Sequence, residues 1–156
     1  MIPIVRNSEV EDALKMAHNL RTADINELQA VLGKNLDTAH ILYEGIKSSD
    51  NPRTFLVDGE PSAIYGVVNA QSDDLKVGWV WLLGTNKIKK AKTFFLKHSK
   101  KELAEQEKEY DVLANYVDVR NTVHIKWLKW LGFKALREVN YGVEQRKFYE
   151  FARACV

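Results

Sequence analysis

Residues 113–133 read LANYVDVRNTVHIKWLKWLGF, and this run restricts the possible fold more than any other part of the chain. Tyr116, Val117 and Val119 form a short β-rich stretch. Asn121 is a helix-capping residue type, because its side-chain oxygen accepts from an N–H of the first turn. Ten residues at helical spacing follow (122–131), and Gly132-Phe133 supplies a stop and a restart. A strand feeding a helix that ends at glycine and resumes as a strand is an α/β unit.

The remaining pattern agrees. Residues 3–6 predict a first strand. Ser8-Glu9-Val10-Glu11 predicts a capping box ahead of Val10, Ala13, Leu14, Ala17 and Leu20 at helical spacing. Asp24 and Glu27 offer a second box, with Ile25, Leu28 and Leu32 on one face and Gly33 as stop. A third helix follows Asp37. Residues 54–58 and 62–70 flank Asp58-Gly59-Glu60-Pro61, which is hairpin chemistry, and 77–83 adds a third strand. A long helix (86–108), a strand (112–119), the helix 122–131 and a closing hairpin (134–141 and 147–153, turning near Gly142) complete the order. No repeat or linker divides it, so one domain spanning 1–156 is expected.

Net charge is +2, which gives no whole-molecule attraction to nucleic acid or membrane. A single cysteine, Cys155, excludes an internal disulfide framework. The opening Met-Ile-Pro-Ile-Val-Arg carries no signal-peptide pattern, and no apolar run approaches membrane-spanning length. A soluble, cytoplasmic protein is expected. His18, His40, His98 and His124 are scattered without metal-ligand spacing, so no metal is expected.

The helix 86–108 has an unusual charge layout. Seven lysines and no acid lie between Asn86 and Lys101, and five acids against one lysine lie between Glu102 and Asp111. Lysines at a helix N-terminus oppose its dipole unless an anion sits there. A solvated basic face, with Ile88, Ala91 and Phe95 turned inward, competes with a phosphate site and with an acidic or nucleic-acid partner.

Asn121, Gly132 and Phe133 resemble the closing Asn-x-x-Ala-x-x-x-Tyr-x-x-x-Gly-Phe pattern of the Gcn5-related N-acetyltransferase (GNAT) superfamily, with His124 at the Ala and Leu128 at the Tyr. The resemblance implies a mixed, mostly antiparallel central sheet flanked by helices. Its fourth and fifth strands splay (here 77–83 and 112–119) around acetyl-CoA. It places Asn86-Lys87-Ile88-Lys89-Lys90-Ala91 on the superfamily's phosphate loop, where Lys87, Lys89, Lys90, Ala91 and Asn121 would face the cofactor. Backbone amides of Trp81, Leu82 and Leu83 would polarise its thioester carbonyl. With Leu128 unable to act as acid and residues 76–85 holding no Glu, Asp or His, the acid–base candidates are Tyr116, His124 and Asp118. Each also has a plain structural role: strand packing, helix capping, or a bond to a backbone N–H. Trp79 and Trp81, two apart, share one strand face, as core or as binding surface.

Residues 110–129, with the Trp79-Val80-Trp81-Leu82 strand, the lysine-rich helix and the Asp58-Gly59 hairpin, are similar to the small internal virion protein family of short-tailed phages. That likeness covers roughly residues 54–153. It implies a phage-encoded, acetyltransferase-like protein acting in virion assembly or on a phage or host protein, in the cytoplasm of an infected bacterium or in the virion. An acetyl-CoA-dependent N-acyltransferase is the alternative.

Overall fold

The computed structural model describes residues 3–70 and 72–155. The elements run β1 (Pro3–Asn7), α1 (Val10–Met16), α2 (Thr22–Leu32), α3 (Thr38–Ser48), β2 (Ser49–Val57), β3 (Glu60–Asn69), β4 (Val77–Gly84), α4 (Lys92–Gln106), β5 (Val112–Asp118), α5 (Thr122–Trp130), β6 (Lys134–Tyr141) and β7 (Arg146–Ala154). They build one seven-stranded sheet in the order β1-β2-β3-β4-β5-β7-β6. Among the described residues, only β4 and β5 are parallel neighbours. This is the mixed, mostly antiparallel sheet flanked by helices that the pattern implied.

Period-two alternation sorts the side chains. Ala63, Tyr65 and Val67 of β3 and Val80 and Leu82 of β4 join Phe95, Leu103, Trp127 and Leu128 in one core under α4 and α5. Ile64 and Leu83 point the other way, onto Ala13, Met16, Leu42 and Ile46 of α1 and α3, with Trp81 packed alongside. Trp79 and Trp81 share a face, as expected. Trp81 covers α3 at Gly45 and donates from its indole nitrogen to Ser49 Oγ at 2.6 Å.

Three helix boundaries differ from the sequence reading. The first box is shifted by one residue: Glu9 is the cap, and Asp12, not Glu11, accepts from its N–H at 2.8 Å. Arg21 precedes α2, so Asp24 and Glu27 lie within the helix rather than at a cap. The long helix is interrupted, with a 3-10 segment Asn86–Ala91 ahead of α4 and another, Glu107–Glu109, after it. Thr85 accepts from the N–H of Lys87 and tightens that first turn. The third helix does begin after Asp37, whose side chain caps it on the N–H of His40.

The β6–β7 hairpin reaches across to α2. Val143 and Glu144 donate their N–H groups to the carbonyls of Val31 and Ala30, both at 3.1 Å, and so satisfy two otherwise orphaned C-terminal carbonyls. Gly142 makes this approach possible. Its φ is +76°, and a Cβ there would lie 2.5 Å from the Ala30 oxygen. Gly59, at φ +78° with nothing among the described residues within 4 Å of a Cβ, isolates the backbone contribution. Gly142→Ala should therefore lower stability by roughly 2–4 kcal/mol from strain and overlap together, and Gly59→Ala by only about 1–2 kcal/mol. Urea unfolding of both variants checks this.

Candidate functional site

The site begins where β4 and β5 part. They pair only at Val77↔Val112, Gly78↔Leu113 and Trp79↔Ala114. Gly78 allows this closeness, since a Cβ would meet Val67 and Leu113 side chains within 2.9 Å. Beyond Trp79 the strands diverge, and their facing backbone groups need other partners.

α2 supplies them. The N–H of Gly84, at the end of β4, donates to Asp24 Oδ2 at 3.0 Å. The N–H of Asp118, at the end of β5, donates to Glu27 Oε1 at 2.6 Å. Residues three apart share a helix face, so one face of α2 bridges the wide end of the splay. Arg21 completes the bridge. Its own N–H donates to the Gly84 carbonyl at 2.8 Å. Arg21 is 7% exposed, and its guanidinium forms a fork with Asp24 at 2.8 and 3.2 Å. Asn121, also buried, donates to Asp24 at 3.2 Å while its oxygen caps α5 on the N–H of His124 at 3.4 Å. The sequence carried a trace of this arrangement in Arg21, Asp24 and Glu27, one charged residue every third position.

Beside this bridge, a cavity of about 450 Å³ is lined by Glu27, Trp79, Trp81, Leu82, Asn115 and His124, among others. The N–H of Thr85 pairs with Ser62 on β3, whereas that of Gly84 faces the gap. Alternation along β4 therefore turns the N–H of Leu82 toward the gap and those of Trp81 and Leu83 toward β3, so of these three amides only that of Leu82 could meet a ligand there. His124 is 3% exposed, its Nε2 3.4 Å from the Asn115 amide nitrogen and its Nδ1 3.7 Å from Glu27 Oε2. A second hollow of about 450 Å³, between β2 and α4, lies away from the strand ends and is lined by charged groups, including the Arg53–Glu102 pair.

The other expected site residues are dispersed. Tyr116 stacks between Trp79 and Tyr141 and donates its hydroxyl to Glu150 at 2.8 Å. That bond first, then burial, raises its pKa, which makes it a weaker acid. Asp118 is held by Arg120 through the backbone N–H and the guanidinium. Lys87 pairs with Glu60, and Lys89 and Lys90 are exposed. Ile88, Ala91 and Phe95 turn inward. Leu128 is fully buried.

A family model described as "Bacteriophage T7, probable scaffold protein Gp13" matches residues 57–139, just over half of the chain. No curated protein sequence matches. Solved structures share the fold at low identity. Ard1 from Thermoplasma volcanium superposes with a TM-score of 0.71 at 14% identity, covering 100% of this chain and 99% of that one. An N-acetyltransferase from Staphylococcus aureus Mu50 gives 0.69 at 15%, with 100% of both chains covered. AAC(6')-Ib in complex with ribostamycin and coenzyme A gives 0.69 at 15%, covering 99% and 94%. The architecture is that of the GNAT acetyltransferases.

Asp24→Ala would strand the Arg21 charge and the Gly84 N–H in the interior. A loss of about 3–5 kcal/mol is expected. A denaturant series showing under about 1 kcal/mol would mean that water replaces the carboxylate freely. Asp118 gives a pH effect. Burial alone would raise its pKa, but the Arg120 hydrogen bonds and charge outweigh it and hold the carboxyl below its ordinary value. Its contribution is thus complete above the ordinary carboxylate range and is lost as pH falls through the lowered folded value. Arg120→Ala should move the acid-unfolding midpoint, followed by circular dichroism, to higher pH.

Proposed function

The chain belongs to the family of the bacteriophage T7 probable scaffold protein Gp13, and on that basis we propose that it is a phage-encoded assembly protein. It uses an acetyltransferase fold to bind a phage or host protein rather than to turn over a substrate. It works in the cytoplasm of the infected bacterium and in the assembling particle. One observation carries this reading: the wide end of the β4–β5 splay is occupied by the chain's own side chains. Asp24 and Glu27 hold the amides of Gly84 and Asp118. The resemblance to acetyltransferases puts the acetyl-CoA arm in this gap.

The residues present do not fit that cofactor. Lys89 stands where a glycine would let phosphate approach bare backbone. Lys87 is already paired with Glu60. Asn121 spends both side-chain groups inside the bridge. Leu128, buried and apolar, has no proton to give to a leaving thiolate. No acyl-transfer step is assigned.

A second reading, N-acyl transfer from acetyl-CoA to an amine, is favoured by the cavity beside the bridge. The N–H of Leu82 turns toward it, His124 lines its wall, and Tyr116 packs on Trp79 at its rim. In that reading Lys87, Lys89 and Lys90 hold phosphates beside Ala91 and Asn121, and acid–base work falls to Tyr116 or His124.

Calorimetric titration of acetyl-CoA, with desulfo-CoA and ATP as controls, separates the two. The assembly reading expects no saturable binding below millimolar ligand. Micromolar binding, weakened by Lys87→Glu, Lys89→Glu or Lys90→Glu, would overturn it in favour of acyl transfer.

A further inference from the structure

Glu27 and His124 have capacity that the bridge does not use. Glu27 Oε1 accepts from Asp118, but among the described residues the one hydrogen bond to Oε2 is a long one, 3.5 Å from the Asn121 amide. His124 Nδ1 is buried and has no hydrogen-bond partner among the described residues. It points at Glu27 Oε2 across 3.7 Å, too far for a hydrogen bond. Ligand atoms of Asp24, Glu27 and His124 all lie within 4.8 Å of one another.

We propose that Glu27 Oε2 and His124 Nδ1 form a divalent-cation site, with zinc as the ion their chemistry suits best, at the inner wall of the cavity. The geometry is compatible. An ion about 2.1 Å from each atom would subtend an angle of about 125° across that 3.7 Å gap, near tetrahedral. The imidazole is a borderline nitrogen ligand, which favours zinc over calcium or magnesium even beside a hard carboxylate. Asp24 acts from the outer sphere. Its oxygens already accept from Arg21, Asn121 and Gly84, so it contributes charge rather than a bond. Glu27 and His124 both line the cavity, so the ion would lie just behind its wall at the buried Nδ1, with cavity water to fill its remaining positions.

The tautomer follows. Nδ1 must present its lone pair to the ion, so Nε2 carries the proton. A half-turn of the Asn115 amide, now 3.4 Å from Nε2, brings its oxygen there to accept that proton's hydrogen bond. Asn115 is then a positioning residue that orients the imidazole. The ion would tie α2 to α5, a link independent of whether the chain binds CoA.

The test is calorimetric titration of Zn²⁺ into chelator-stripped protein, with Co²⁺ absorption reporting coordination. One equivalent should bind, with intense visible Co²⁺ bands typical of four-coordination. Glu27→Gln and His124→Gln should each weaken binding by at least about tenfold, and Asn115→Leu by roughly tenfold. His98→Gln, which alters the separate His98–Glu102 pair, and Cys155→Ser should bind as wild type does. Should His124→Gln fail to fold, Glu27→Gln carries the test, since its amide oxygen still accepts from Asp118. Absence of saturable binding below millimolar Zn²⁺, or binding unchanged in Glu27→Gln, would overturn the site.

Discussion

Two backbone amides, those of Gly84 and Asp118, set the terms for this molecule. Parallel strands that separate leave polar backbone facing a gap, and a buried N–H without an acceptor costs about 1–3 kcal/mol. The chain meets that demand with one helix face, Asp24 toward one strand and Glu27 toward the other. The carboxylates need compensation in turn, which explains why Arg21 is buried beside them and why Asn121 bonds Asp24 as well as capping α5. Satisfying these amides sets the face that α2 turns to the sheet, and Asn121 ties the start of α5 to it.

Local chemistry made the element order readable. Asp37 and Asn121 cap helices, Asp58-Gly59 turns a hairpin, Gly142 lies in the last turn, and the alternation of β4 puts Trp79 and Trp81 on one face. The likeness to acetyltransferases and to a phage family, carried by residues 110–133, agrees with the fold matches and with the matched family model. What stayed hidden was non-local. Asp24 and Glu27 have the spacing of a capping box, and nothing near them in sequence reveals that their partners are Gly84, Asp118 and Asn121. The lysine run was ambiguous for the same reason, because the pairing of Lys87 depends on Glu60 across the hairpin. His124 was picked out by its place in a pattern, but its neighbour Glu27 lies almost a hundred residues earlier, and only folding brings them within 3.7 Å.

The molecule also separates architecture from chemistry. The splayed sheet persists with low identity to enzymes that share it, because its geometry is fixed by core packing on both faces and by the short pairing at Gly78. Catalytic groups have no such support and are exchanged freely. Leu128, one of the largest fully buried side chains, serves the architecture by packing in the core.

The contact between the β6–β7 turn and the last carbonyls of α2 has a consequence for how the chain assembles. Helix α2 is fastened at its start to β4 and at its end to a turn more than a hundred residues later in the chain. Closing such distant contacts carries a loop-entropy cost, which grows slowly with the length of chain between them. During synthesis the ends of β4 and β5 are made before the hairpin that fixes their cover. In a chain made from its N-terminus, the last carbonyls of α2 can gain these partners only once residues 143 and 144 have been added.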